Sequence, residues 1–128
     1  MKKMILLFSH TLSEKQREEA TQLWNVSEFV SLPKELQNIW SNIPYDVETL
    51  DNILKPIRDY MAKISNKDDV VLVQGDFGAV SMLVNESKSL GLVPVYATTK
   101  RTAKEYITKE GKQMKKSIFE HRRFRKYE

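Results

Sequence analysis

The sequence predicts an α/β fold, a mostly parallel sheet with helices on both faces and a C-terminal β-hairpin. Three observations predict it. The apolar runs Met4–Phe8 and Val70–Val73 are continuous rather than alternating, as strands buried on both faces require. Amphipathic helical patterns separate successive runs, and parallel neighbours need such crossovers. After Lys100 the pattern becomes two mixed alternating stretches around a glycine, a hairpin signature.

Each element has its own signal. Met4–Phe8 reads as the first strand and stops at Ser9-His10-Thr11. Ser13-Glu14-Lys15-Gln16 is a capping box, and the helix it opens carries Ala20, Leu23 and Trp24 on one face. Phe29–Leu32 is a short second strand ended by Pro33. A helix with Leu36, Ile39 and Trp40 follows, closed by Ile43-Pro44. Asp46 is placed to cap the next helix, whose stripe runs Val47, Leu50, Ile53, Leu54, Ile57, Met61, Ile64. Pro56 inside that stripe predicts a kink or a break.

Ser65–Asp69 is a polar turn, with Asp68-Asp69 no more than part of it, and Val70–Val73 the third strand. Asp76 or Phe77 opens a helix through Val80, Leu83, Val84 and Leu90, with Gly91 in the C′ position. Leu92–Ala97 is the fourth strand, and its Pro94 predicts an edge or a bulge. Lys104–Thr108 and Lys115–Phe124 flank Glu110-Gly111-Lys112-Gln113 as a hairpin, with a short helix over 102–106 as the competing reading.

The 128 residues fit one domain, 1–128, with a core of ordinary size. There is no cysteine, which excludes disulfides, thiolate catalysis and zinc–thiolate sites. No apolar run approaches the length of a membrane span. Met1-Lys2-Lys3 followed by Met4–Phe8 mimics a signal peptide, but the apolar part is too short and no cleavage site follows. The expected compartment is the cytoplasm, without a membrane partner.

Net charge is +4, and its distribution is uneven. From Lys100 onward eleven Lys/Arg stand against four Glu, while residues 1–99 hold ten against thirteen acids. A basic last quarter fits an anionic partner such as phosphate or nucleic acid, or a solvated tail.

In an open parallel sheet, ligands bind at the carboxyl ends of the strands. Those ends read Ser9-His10-Thr11, Leu32-Pro33, Gln74-Gly75-Asp76-Phe77-Gly78 and Thr98-Thr99-Lys100-Arg101. Gly75 and Gly78 can let a ligand approach the main chain, and a helix start beyond them would aim N–H groups at an anion. A tight βα turn capped by Asp76 explains the same residues. The stretch is neither a Walker A loop nor a dinucleotide fingerprint, and Asp76-Phe77-Gly78 matches the kinase metal triplet by coincidence.

His10 can carry a proton near neutral pH or cap the first helix. Thr98, Thr99, Lys100 and Arg101 offer two hydroxyls and two cations for a phosphate. Arg123, in the block Glu120-His121-Arg122-Arg123-Phe124-Arg125, suits phosphates and stacked bases, whereas His121 reads as part of an exposed strand face. Two histidines without a carboxylate at ligand spacing predict no metal.

The blocks "LLFSH" at 6–10, "LPKELQNIWSNIP" at 32–44, "VLVQGDFGAV" at 71–80, "GLVPVYATTKR" at 91–101 and "FEHRRFRKYE" at 119–128 resemble, in this order, the small stand-alone ring nucleases of type III CRISPR systems. That resemblance implies a Rossmann-like fold related to CRISPR-associated sensor domains. It implies cyclic oligoadenylate, above all cyclic tetraadenylate, as substrate. The implied reaction is metal-independent cleavage to linear products that ends antiviral signalling, with no cofactor. In that chemistry a ribose 2′-OH attacks the adjacent phosphorus and leaves a 2′,3′-cyclic phosphate.

Strand-end placement then assigns proton transfer to His10, charge stabilisation to Lys100 and Arg101, and positioning to the Gln74–Gly78 turn. Ser9, Thr98, Thr99 and Arg123 are further substrate contacts. A ring of four adenosines has two-fold symmetry, so a homodimer with the ring on its axis is expected. A sensor or scavenger that binds the ring without cutting it is the alternative, and a general RNA-binding protein is a third reading.

Overall fold

The computed structural model describes residues 2–128. Chain order is β1 (Lys2–Leu7), α1 (Glu14–Leu23), β2 (Val26–Ser31), α2 (Lys34–Ser41), α3 (Asp51–Ile64), β3 (Val70–Val73), α4 (Phe77–Ser89), β4 (Val93–Ile107) and β5 (Gln113–Lys126). The sheet order is β2-β1-β3-β4-β5. The first four strands are parallel and β5 runs antiparallel to β4. This is the expected mixed α/β, Rossmann-like architecture with a C-terminal hairpin.

The unbroken apolar runs lie where the sheet is covered on both sides. Met4–Leu7 pair with Val70–Val73 at its centre. Ile5, Leu7, Val71 and Val73 face α2, α3 and α4, packing with Trp40, Leu54, Ile57, Met61 and Leu83. Met4, Val70, Leu72, Val95 and Phe124 face the other way, under α1 with Ala20 and Leu12. The strand period of two sends alternate residues to opposite layers, so both sides must be apolar.

The ends are set by local chemistry. Ser13 Oγ accepts from the Gln16 N–H (3.2 Å) and Gln16 Oε1 accepts from the Ser13 N–H (2.8 Å), which completes the capping box. Just past the C-cap of α1 stands Asn25, whose φ of 58° turns the chain directly into β2. β2 therefore starts at Val26, earlier than the Phe29 expected. Leu23 is 75% exposed rather than on the buried face, and Trp24 lies beyond the helix as its C-cap.

At α4, Gly91 (φ 76°) donates to Lys88 O and Leu92 to Ser87 O, a Schellman closure. Asp69 is buried at the start of β3. Its carboxylate accepts from the Lys3 N–H (3.0 Å) and the Asn66 N–H (2.8 Å) and pairs with Lys3 Nζ (3.2 Å). It is a clasp between β1 and β3, more than the plain turn expected.

Four expectations are corrected or narrowed. Asp46 caps nothing: α3 begins at Asp51 behind Leu50, and the exposed residues 45–49 have no surface against which a first turn could pack. Pro56 does not break α3; it and Asn52, whose carbonyl loses its helical donor, are both exposed. Pro94 is not at an edge, since β4 lies between β3 and β5. Its carbonyl accepts from Tyr127 N (3.0 Å), so its missing N–H faces the point where β5 ends. Finally, β4 does not stop at Ala97 and no helix forms over 102–106. β5 pairs with β4 from Val95↔Lys126 to Ile107↔Gln113, with a bulge at Thr98/Thr99 opposite Arg122.

Candidate functional site

β3 pairs with β4 only as far as Leu72↔Val95, and beyond this level the carboxyl ends of β1, β2 and β3 form a rim. Two depressions open on it. The first, about 260 Å³, is lined by Ser9, His10, Thr11, Arg17, Ser31, Gln37 and Ser41 among others. Gln37 Nε2 donates to Phe8 O (3.1 Å) and to Ser41 Oγ (2.9 Å), and Ser41 Oγ lies 2.9 Å from Ser9 Oγ. These bonds fix the chain just before His10, whose exposed ring sits edge-on to Phe8 at 5.4 Å. The Arg17 guanidinium lies over the Phe29 ring at 4.9 Å. An imidazole, a guanidinium and several hydroxyls share one opening and can hold an anion beside a proton carrier.

The second depression, about 230 Å³, is lined by Gln74, Gly75, Phe77, Val80, Tyr96 and Tyr127. Here the βα turn is a built structure. Gln74 Oε1 accepts from the Ala97 N–H (2.7 Å), and Gln74 O from the Trp40 indole N–H (3.0 Å). Asp76 Oδ2 accepts from the Ala79 N–H (3.0 Å) and caps α4, which settles its helix-cap role. A Cβ on Gly75 would lie 3.2 Å from Trp40 Nε1, so the close approach at this glycine is to an indole of the same chain. Gly78 has ordinary room and no positive φ.

Phe77 is 94% exposed at the first position of α4. Tyr96 and Tyr127 pack tilted against each other, centroids 4.7 Å apart, and the Arg125 guanidinium lies over Tyr96 at 4.9 Å while donating to its hydroxyl. Tyr127 Oη donates to Val73 O (2.7 Å), and burial, with Tyr96 beside it, pushes its hydroxyl above the ordinary tyrosine range. It therefore stays protonated at neutral pH. Three aromatic rings and a guanidinium make a surface on which a base can stack. Tyr96, Tyr127 and Arg125 were not singled out from the sequence. The aromatic-basic alternation of β5 was the available signal, but its pairing with Tyr96 depends on register.

The Thr98–Arg101 cluster does not close this site within one chain. Thr98 Oγ1 is engaged at the bulge, donating to Arg123 O (3.0 Å) and accepting from Arg123 N (3.2 Å). Thr99, Lys100 and Arg101 continue along β4 away from the rim, and Arg101 lies over Phe119 (5.9 Å) and donates to Ser117 Oγ (3.2 Å). By strand geometry, Lys100 and Arg101 stand roughly 13–17 Å beyond the rim level, two strand spacings (about 10 Å) to the side of β1. Arg123 turns to the opposite end of the sheet. It lines a depression of about 400 Å³ with Lys2, Trp24, Val70, Val93 and Lys126, at the amino ends of the strands.

His121 is not on an exposed face. Its Nε2 is 2.7 Å from Glu19 Oε1, and Glu19 also accepts from the Trp24 indole N–H (2.9 Å) and the Phe124 N–H (2.8 Å). This nearly buried carboxylate bolts α1 to β5. Among the described residues no cluster of three His, Cys, Asp or Glu side chains is placed to hold a metal ion, and no helix is long and apolar enough to cross a membrane.

Fold and rim together define a Rossmann-like α/β protein with an aromatic and cationic surface at its strand ends and a basic hairpin rising beside it. Over residues 2–125 the chain matches the uncharacterized protein MJ1673 family, and it belongs to that family. It is 51% identical over 127 residues to uncharacterized protein MJ1673 of Methanocaldococcus jannaschii, covering 99% of this chain and 98% of that one. No solved structure matches.

Proposed function

We propose that the protein is a metal-independent ring nuclease that opens cyclic oligoadenylate, cyclic tetraadenylate in particular, and so ends type III CRISPR signalling. The observation that carries this is the pairing, on one rim, of an aromatic surface (exposed Phe77 with half-buried Tyr96 and Tyr127, Arg125 lying on Tyr96) and an opening that holds His10 and Arg17. Adenines need ring faces for stacking, and the phosphates between them need cations and donors. The sequence blocks that resemble ring nucleases lie largely along this rim.

The reaction needs little more than alignment and proton transfer. The 2′-oxygen forms a bond to phosphorus, the 5′-oxygen leaves with a proton, and the products carry a 2′,3′-cyclic phosphate and a 5′-hydroxyl. His10 moves the proton, with Ser9 and Arg17 beside the phosphate. The backbone of the Gln74–Gly78 turn shapes the floor, since the Gln74 and Asp76 side chains are engaged elsewhere. Lys100 and Arg101 stand off the rim of their own chain. In a cytoplasmic homodimer with the ring on the two-fold axis, they meet the ring from the facing copy.

Cyclic tetraadenylate is incubated with the protein in EDTA and the products are separated by chromatography, with linear oligoadenylate as control. Linear products from the ring support the proposal. Tight binding without turnover replaces it with a sensor, a reading favoured by the engaged side chains of Gln74 and Asp76. Binding without preference for rings, falling steeply with salt, replaces it with an RNA-binding protein. Under single-turnover conditions His10→Ala should cut about 10²–10⁴-fold more slowly, and cleavage at the parental rate removes His10 from the mechanism.

A further inference from the structure

From Thr99↔His121 to Ile107↔Gln113, β4 and β5 pair only with each other, in nine cross-strand pairs roughly 30 Å long. Every residue of 99–107 and 109–120 is exposed. A two-stranded ribbon is marginal in water, and both its outer edges are open. One face brings Tyr106 beside Met114, Lys104 beside Lys116 and Thr102 beside Ile118, so apolar and cationic side chains share it. Tyr106, Met114 and Ile118 are 47%, 39% and 37% exposed.

A complementary surface stands on the same rim. The segment 45–49, Tyr-Asp-Val-Glu-Thr, has no helix or strand and no cation. Tyr45 is fully exposed and Val47 43% exposed. Among the described residues, Asp46 and Glu48 form no ion pair, and neither do Lys104 and Lys116. Leu50, which follows, reaches 3.5 Å from the Cβ position of Gly78, so the segment leads to the start of α4, at the end of the sheet over which the ribbon leaves.

We propose that the ribbon is a dimerisation arm that seats on the 45–49 segment of a second copy of this chain. Both patches lie at one end of the molecule, so a two-fold axis makes the contact twice, once with each arm. Lys104 and Lys116 then meet Asp46 and Glu48, while Tyr106, Met114 and Ile118 cover Tyr45 and Val47. A nucleic acid would engage the lysines but leave the apolar side chains uncovered. The contact adds to the two-fold assembly proposed above the surfaces that make it, and it is measured without ligand, so arm and ring cleavage fail separately.

Light scattering after gel filtration should give about 30 kDa, twice the chain mass of 15.0 kDa. The double variant Lys104→Glu/Lys116→Glu should raise the dimer dissociation constant about tenfold or more. Asp46→Lys/Glu48→Lys should do the same, and the four changes together should restore the dimer. The helical far-UV circular dichroism of the body should be kept throughout, because neither patch supports the core. A monomeric parent, dimers that survive either charge reversal, or no recovery in the combined variant would overturn the proposal. So would a monomer that assembles only when RNA is added.

Discussion

Phe77 is the residue on which the site reading turns. An almost fully exposed phenylalanine at a helix start gives the fold little, because it buries nothing. Phe77→Ala should leave the melting temperature within about 3 °C, by the usual size of surface effects. It should weaken cyclic tetraadenylate binding by about 1–3 kcal/mol, roughly 5- to 150-fold, the ordinary worth of base stacking. Isothermal titration measures both the loss and its absence. Gly75 makes the opposite case. Gly75→Ala pushes a methyl against the Trp40 indole and should cost about 1–3 kcal/mol in urea denaturation. The two glycines of the turn were legible as a need for room. What filled that room was not, because Trp40 lies 35 residues away and arrives only through the packing of α2 on the sheet.

At the scale of elements, two buried carboxylates hold the layers together. Asp69 is raised by burial, but hydrogen bonds from Asn66 and Lys3 and the Lys3 charge outweigh this and hold it below the usual carboxylate range. Its contribution is therefore fully present above the unfolded-state value and is lost as pH falls through the folded one. Asp69→Asn should lower the urea midpoint at neutral pH, and the gap from the parent should close on acidification. A gap constant down to the acid limit would show that the charge does nothing. Glu19→Ala leaves the Trp24 and Phe124 N–H groups and His121 without their acceptor, and should cost about 2–4 kcal/mol.

The helices and buried strands were readable because their apolar spacing is local. The capping box at Ser13 and Gly91 after α4 were readable for the same reason. The hairpin strands at Lys104–Thr108 and Lys115–Phe124 were readable from their alternation, but the stretch Thr98–Ala103 that joins them to β4 was not. Its strand state comes from pairing with residues 117–123 rather than from burial. That one error placed Lys100 and Arg101 at a strand end with His10, whereas they ride outward on an arm.

At the scale of the whole molecule, the charge asymmetry legible in the composition becomes a shape. The basic last quarter is largely the hairpin, and the acidic remainder is the body it leaves. One rim collects His10 and the aromatic side chains, and in the proposed dimer the arms would extend the cationic surface towards the facing copy. This arrangement predicts that cleavage needs the dimer: the arm variant Lys104→Glu/Lys116→Glu should lose ring opening in proportion to the monomer fraction, although neither lysine touches the reacting phosphate. The most direct test of the central claim is mass spectrometry of the products from cyclic tetraadenylate and the parent protein in EDTA. The account predicts linear fragments ending in a 2′,3′-cyclic phosphate and a 5′-hydroxyl. An intact ring at full binding saturation, or products with a 5′-phosphate, would contradict it.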